Sequence, residues 1–135
     1  MPKRLKLNAM ALVDEARRHI QAIDAAEAMA LHATGECLIV DVRDARERAR
    51  DGFIPGSMHC PRGMVEFWID PESPYAKPIF QQDKKFIFHC ASGWRSALAA
   101  KTAQDMGLKP VAHLGGGFTA WREAGGPVEK VEAKK

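Results

Sequence analysis

The feature that most constrains this chain is a repeated order of segments: a short apolar run, a break rich in polar residues or glycine, and then a helix. Three apolar runs follow this order, at residues 37–42, 85–89 and 110–114. Short apolar runs with β-branched residues are typical of strands that are buried on both faces of a parallel sheet. Strands that alternate with helices at this spacing indicate an α/β fold with a mainly parallel sheet.

The remaining pattern predicts a brief fourth strand at residues 57–59 and several helices. Two capping boxes, Asp24 with Glu27 and Asp44 with Glu47, mark helix starts. A loop with two prolines at residues 70–74 excludes regular structure there. The helices are predicted over residues 9–20, 24–35, 44–50, 63–68, 96–106 and 118–124.

The length and the charge of the chain favour a single domain that does not bind nucleic acid. A chain of 135 residues fits one domain and is too short for two. We expect an N-terminal helical extension at residues 1–23, the main domain at residues 24–128, and a charged, disordered tail at residues 129–135. The net charge is only +3, and lysines and arginines are spread along the chain, so a nucleic acid partner is not expected.

Several features predict a cytoplasmic protein. The basic start lacks a following apolar segment, so we expect no secretory signal. Unbroken apolar runs are short, as at residues 37–40, so no membrane partner is expected. The three cysteines are an odd number without close spacing, which favours a reducing compartment over a disulfide framework. Histidines and cysteines are scattered, so neither a metal site nor a cofactor is predicted.

The break after residues 85–89 is the strongest functional signal in the chain. Cys90 stands at the carboxyl end of a predicted strand, where α/β proteins bind ligands, and a helix begins just behind it. Backbone amides of such a loop can converge on an anion, Gly93 permits the turn, and Arg95 adds a positive charge. A thiol in that field loses its proton readily. We therefore expect an activated thiolate at Cys90 in an exposed loop. The predicted substrate-binding residues of this loop are Ala91, Ser92, Gly93, Trp94, Arg95 and Ser96.

Other polar and aromatic residues have weaker claims. Cys37 and Cys60 lack the context of a strand end followed by a helix, so both are predicted to be structural. Asp41 and Arg43 follow a central strand, and they either brace the active loop or form an ordinary buried pair. His59 and His89 either relay protons or pack in the core, and packing is the favoured interpretation. Phe67 and Trp68 either form a lid over the site or pack on the core.

Three motifs resemble those of the rhodanese (sulfurtransferase) family. They are CASGWRS at residues 90–96, then DVR, Glu47, Gly52 and IPGS within residues 41–57, and LGGGFTAW with AGGPV within residues 114–128. The resemblance implies a five-stranded, mainly parallel sheet with helices on both faces. It also implies that Cys90 takes a sulfane sulfur from a donor, becomes a persulfide, and passes the sulfur to a nucleophilic acceptor such as cyanide or a thiol. A protein acceptor is a further partner consistent with the family.

The resemblance leaves alternatives open. Cell-cycle phosphatases share the fold, but their loop from cysteine to arginine is one residue longer than the six residues from Cys90 to Arg95. The shorter ring suits a terminal sulfur and makes a phosphatase-like esterase the less favoured interpretation. Ala91 and Ser92 replace the basic residues of thiosulfate specialists, so a low-molecular-weight persulfide is as plausible a donor as thiosulfate. A non-enzymatic sulfur carrier or regulatory interaction module is a further alternative.

Overall fold

A computed structural model describes residues 3–132 and places a five-stranded sheet at the centre of the chain. The strands lie in the order β1-β5-β4-β2-β3, and all four neighbouring pairs are parallel. The α/β class and the mainly parallel sheet predicted from the sequence are therefore confirmed. The strands are β1 (Gln21–Ile23), β2 (Cys37–Asp41), β3 (Met58–His59), β4 (Lys85–His89) and β5 (Val111–Leu114).

Helices cover both faces of the sheet, as expected. They are α1 (Ala9–His19), α2 (Ala25–Ala33), α3 (Ala45–Asp51), α4 (Val65–Ile69), α5 (Trp94–Asp105) and α6 (Gly117–Glu123), with 3₁₀ turns at Arg62–Met64 and Pro78–Gln81. Buried residues of α1, α4 and α5 share one apolar core, the first core, and those of α2 and α6 share the other, the second core. No helix within residues 3–132 combines the length and the hydropathy needed to cross a bilayer.

The alternation of side chains along the central strands builds these two cores. In β4, Phe86 and Phe88 face the first core, whereas Ile87 between them faces the second. In β2, Val40 and Ile39 divide in the same way. Successive side chains of a strand point to opposite faces, so a strand covered on both sides must be apolar throughout. This is why the apolar runs of the sequence located the central strands.

The predicted capping boxes differ in the structure. At α3 the box is complete, because Asp44 accepts from the Glu47 amide and the Glu47 side chain accepts from the Asp44 amide. At α2 the Asp24 carboxylate accepts from the Glu27 amide at 2.8 Å, and the reciprocal bond is absent from the described contacts. A single cap bond is sufficient to begin α2 where the sequence predicted it.

The N-terminal segment is more than a helical extension. Residues 21–23 form β1, which pairs with β5 at the edge of the sheet, and α1 packs against α5. The sequence missed this strand because it has only three residues, and two of them are exposed. Helix α1 buries Val13 and Ala16, so it is part of the first core.

The predicted tail begins with an ordered contact. Phe53 and Glu129 exchange two backbone hydrogen bonds, of 2.8 and 2.9 Å, in an antiparallel bridge. Glu129 is therefore fixed to the main domain, contrary to the expectation of a tail disordered from residue 129. Residues 133–135 of that tail lie outside the described residues.

Candidate active site

The candidate site lies where β4 ends and α5 begins. Cys90 follows the last residue of β4, and Gly93 precedes the first residue of α5. Gly93 has a φ of +113°, a backbone conformation that side chains with a Cβ rarely adopt. This turn folds the loop back, so that the amides after Cys90 point toward its own side chain. The sequence correctly predicted that Gly93 makes the turn.

Backbone amides converge on the Cys90 sulfur. The Gly93 amide donates to Sγ at 3.1 Å, and the Ser96 amide donates at 3.4 Å. Burial raises the pKa of the Cys90 thiol, but hydrogen bonds from the amide and the hydroxyl of Ser96 and from the Gly93 amide outweigh it and hold the pKa below its usual value. The loop is thus built to stabilise a negative charge at Sγ.

Cys90 is deeper than the sequence suggested. An exposed loop was expected, but only 1% of the residue is accessible, and it belongs to the first core. The depth arises because β4 and α5 are both buried elements and the loop between them is short. A reactant must therefore present a narrow end to Sγ.

The start of α6 supports the loop from behind. The Phe118 amide donates to the Cys90 carbonyl at 2.8 Å, and the Thr119 amide donates to the Ala91 carbonyl at 3.2 Å. Gly117 lies so close that a Cβ on it would stand 2.6 Å from both carbonyl oxygens. The glycine run of residues 115–117 therefore allows α6 to approach the active loop and fix its backbone.

The Arg95 side chain has an arrangement that differs from the expected one. Its two terminal nitrogens donate to both carboxylate oxygens of Glu47, at 2.6 and 2.8 Å, instead of pointing freely into the loop. Hydrogen bonds from Arg95 lower the pKa of Glu47, and the same bonds raise that of Arg95. The pair joins α5 to α3 and offsets much of the positive charge that the sequence assigned to anion binding.

The other predicted loop residues take different places. Ser92 and Trp94 are exposed, Trp94 by 50%, and Ala91 is partly buried. Trp94 therefore lies on the outside of the loop, where it forms part of the surface around the site. Of the side chains in this loop, that of Ser96 is brought next to Sγ, with its hydroxyl 3.7 Å away.

A buried ionic cluster lies at the carboxyl end of β2, the strand next to β4. The Asp41 carboxylate accepts from Arg43 at 2.9 and 3.0 Å and from Arg48 at 2.7 Å. Burial acts to raise the pKa of Asp41, but the bonds and charges of this cluster hold it well below its usual range. Arg43 also donates to the Gly52 carbonyl, which ties the cluster to the end of α3.

The two histidines of this region have structural contacts. His89 is fully buried and stacks on Phe118, and burial lowers its pKa to about 4. The His59 Nε2 lies 2.7 Å from the Arg43 carbonyl. Both arrangements agree with packing, which the sequence analysis favoured over proton relay.

The other two cysteines are buried and inert in character. Burial raises the pKa of Cys37, and it raises that of Cys60 to about 12. Cys37 lies in the second core and Cys60 in the first. Among the three thiols, only that of Cys90 has a lowered pKa, which supports the distinction drawn from their sequence context.

Two residues beside the loop were missed by the sequence analysis. His113 Nδ1 lies 3.3 Å from the Ser96 hydroxyl, which connects β5 to the active loop. The Arg17 Nη2 on α1 lies 3.7 Å from the position of a Cβ built on Gly93. His113 could have been found, since it stands near the carboxyl end of a strand. Arg17 carried no signal, because it is one of several charged residues on a surface helix.

Neither a lid nor a metal cluster is evident in the part of the chain that the structure describes. Phe67 is half exposed and contacts Tyr75 edge to face, while Trp68 packs on the first core beneath Lys77. Trp68 therefore matches the core-packing alternative, whereas Phe67 is half exposed and does not pack in the core. Within residues 3–132, no three acidic, histidine or cysteine side chains are grouped as metal ligands would be.

Comparison with known proteins places the chain among rhodanese-like and phosphatase-named relatives. The family model of the rhodanese-like domain matches residues 24–124. The chain is 32% identical over 120 residues to the dual specificity phosphatase Cdc25 of Arabidopsis thaliana, covering 82% of this chain and 79% of that protein.

Two solved structures extend the comparison. A Rhodopseudomonas palustris protein of unknown function, described as a possible tyrosine phosphatase, is 64% identical with a TM-score of 0.92, covering 96% of this chain and 99% of that one. A thiosulfate sulfurtransferase from Pseudomonas aeruginosa is 27% identical with a TM-score of 0.74, covering 93% of this chain and 23% of that one.

Proposed function

Because this chain belongs to the rhodanese-like domain family, we propose that it is a sulfurtransferase whose Cys90 thiolate carries a sulfane sulfur from a donor to an acceptor. The donor is thiosulfate or a low-molecular-weight persulfide, and the acceptor is cyanide, a thiol or a thiol of another protein. The observation that carries this proposal is the convergence of the Gly93 and Ser96 amides on Sγ.

Sulfur transfer takes place in two balanced steps. The Cys90 thiolate attacks the outer sulfur of the donor, and the donor's own sulfur–sulfur bond breaks, with its electron pair leaving on sulfite or on a thiolate. The acceptor then attacks the outer sulfur of the persulfide, and Sγ leaves again as a thiolate. Cyanide becomes thiocyanate by this step, and a thiol becomes a new persulfide.

The amides of the loop are suited to both states of the cysteine. Fixed N–H dipoles in a buried site stabilise an anion without reorganising during the reaction. The loop amides from Ala91 to Ser96 are proposed to hold first the thiolate and then the terminal sulfur of the persulfide. Ser96 adds its hydroxyl beside Sγ.

The phosphatase names of two comparisons make phosphate-ester hydrolysis the second candidate. Two features favour sulfur over phosphate. The loop from Cys90 to Arg95 has six residues, a ring sized for one sulfur atom rather than for the oxygens of a phosphate. The Arg95 guanidinium, which a phosphate would need, has both terminal nitrogens bonded to Glu47.

Two further parts of the proposal are the cellular location and the distinction between an enzyme and a sulfur carrier. All three cysteines are free thiols in the structure, which supports our proposal of a reducing compartment such as the cytoplasm. A protein that loads sulfur once but does not turn over would be a sulfur carrier or a regulatory module. Loading and turnover therefore have to be measured separately.

The test is a donor panel read by intact-protein mass spectrometry and by turnover. Thiosulfate, mercaptopyruvate and glutathione persulfide are each offered, with cyanide or a thiol as acceptor. We expect a protein one sulfur atom heavier, a shift that reduction removes, and product formed over many cycles. Cys90→Ser should lose both signals, whereas Cys60→Ser, a matched buried cysteine, should keep them.

Other results would assign a different function. Loading without turnover on any acceptor would favour the carrier or regulatory alternative. Absence of loading by every donor, together with hydrolysis of p-nitrophenyl phosphate by the native protein but not by Cys90→Ser, would reject the proposal in favour of phosphatase activity.

A further inference from the structure

Arg17 is a cation beside the active loop that the family match does not cover. It lies on α1, before residues 24–124 where the rhodanese-like model matches. Val13, one helical turn earlier on the same side, is buried against α5. Packing of α1 on α5 therefore directs this side of the helix, including Arg17, toward the start of α5.

Two observations place the Arg17 guanidinium beside the Gly93 turn of the active loop. A Cβ built on Gly93 would lie 3.7 Å from Arg17 Nη2 and 3.9 Å from His113 Cε1. Burial, and secondarily the charge of Arg17, lower the pKa of His113. Gly93 is itself the residue whose amide donates to Sγ at 3.1 Å. Arg17 and His113 thus lie together along one side of the active loop.

The charge of Arg17 is not offset by an acid in the described structure. Within residues 3–132, no carboxylate pairs with its guanidinium, while its neighbour Arg18 pairs with Glu15 at 2.6 Å. Arg95, the arginine of the loop itself, is bonded at both terminal nitrogens to Glu47. The cation that remains to meet an incoming anion on the Gly93 side is therefore Arg17.

We propose that Arg17 binds the negatively charged end of the sulfur donor and so determines specificity for anionic donors. This inference rests on the proposed sulfurtransferase function. The substrate class is a sulfane sulfur carried by an anion, either next to a sulfonate, as in thiosulfate, or on a molecule with a carboxylate, as in glutathione persulfide. The thiolate attacks the outer sulfur, and the electron pair of the broken sulfur–sulfur bond leaves on sulfite or on the glutathione thiolate. Arg17 holds the sulfite, or the carboxylate of the leaving glutathione.

The experiment compares Arg17→Gln with Arg18→Gln in the full chain. Arg18 is a matched control, since it is the next residue of the same exposed helix and is already paired. Three donors are used: thiosulfate, glutathione persulfide, and 2-hydroxyethyl persulfide, which lacks a remote charge. We expect Arg17→Gln to raise KM about fivefold to tenfold for the two donors with a remote anion. The neutral-ended donor should be unaffected, and Arg18→Gln should behave as the native protein.

A binding measurement separates this inference from the proposed function. In a Cys90→Ser background, which cannot react, sulfite and glutathione are titrated by calorimetry. Arg17→Gln should weaken binding by the same factor, and Arg17→Lys should restore part of it. A weakened response to sulfite alone identifies a sulfonate-type donor, and a response to glutathione alone a carboxylate-type donor. Both results support the inference.

The inference is overturned by unchanged affinity for both anions in the Arg17→Gln background, or by equal loss of activity for all three donors. Failure of the proposed function looks different. It is seen when native protein loads no sulfur, and the calorimetric result still decides whether Arg17 binds an anion.

Discussion

Gly117→Ala should damage the active site from outside it. A Cβ at this position would stand 2.6 Å from the Cys90 and Ala91 carbonyl oxygens, whereas ordinary contact begins at 3.4 Å. Helix α6 and the loop must therefore separate by about 0.8 Å, the difference between these distances. The Thr119 bond to the Ala91 carbonyl, 3.2 Å long, would then stretch to about 4 Å and break.

The same change has a second, purely local cost. Gly117 has a φ of +60°, where a residue with a Cβ is less stable by about 1–2 kcal/mol. Gly35 provides a matched control, because its φ is +75° and a Cβ there would meet nothing within 4 Å. Gly35→Ala should lower the melting temperature by about 3–8 °C and leave sulfur transfer unchanged.

The functional effect of Gly117→Ala follows from the amides at Sγ. Displacing the loop weakens the Gly93 and Ser96 hydrogen bonds that stabilise the thiolate. Loss of one hydrogen bond to a charged group costs about 1.5–3 kcal/mol, or roughly a tenfold or greater fall in thiolate at fixed pH. The rate of Cys90 alkylation at pH 7 measures this change in the thiolate fraction. If Gly117→Ala matches Gly35→Ala in both alkylation rate and turnover, α6 does not position the loop and the reasoning fails.

Three further predictions concern the buried ionisable groups. In native protein at pH 7, iodoacetamide should modify Cys90 and spare Cys60, whose pKa is raised to about 12; equal labelling of both thiols by peptide mass spectrometry would contradict the assignment. Asp41→Asn should cost about 3–5 kcal/mol in urea unfolding, because it leaves Arg43 buried without its counter-charge, whereas Asp105→Asn, in an exposed pair with Lys101, should stay within about 1 kcal/mol. The folded-state pKa values of Asp41 and His89 are both depressed, so the unfolded chain takes up protons first as the pH falls. The free energy of unfolding should therefore decrease from about pH 6.5 to pH 4, where folded His89 protonates, and decrease further below pH 4 because of Asp41. A free energy of unfolding that stays constant from pH 7 to 3 would contradict this.

The central fold was predictable because its strands are covered on both faces. Strands β2 and β4 have to be apolar at successive positions, and that run is visible in the sequence. Strand β1 lies at an edge and buries only Ile23, so it leaves no run to detect. Its place was decided by hydrogen bonding to β5, which is a contact between residues about ninety positions apart.

The candidate site was predictable in its backbone and less so in its side chains. A cysteine and a glycine between a strand and a helix require the turn that the structure contains, whatever surrounds them. The partner of Arg95 was not predictable in this way, because Glu47 is 48 residues away and meets it only when α3 packs beside the loop. Arg17 and His113 reach the loop for the same kind of reason, through packing of α1 and β5.

The pairing of Arg95 with Glu47 changes which groups are available to hold an anion. A cation bonded at both terminal nitrogens to a carboxylate acts on the site mainly as part of a neutral pair, so little of its attraction for a distant anion remains. The stabilisation of Sγ then depends on the fixed amides of Gly93 and Ser96, which suit a charge concentrated on one atom. A persulfide bears its charge in that way, on one terminal sulfur. A phosphate spreads its charge over several oxygens and would need more donors, and this difference favours sulfur transfer at Cys90 over ester hydrolysis.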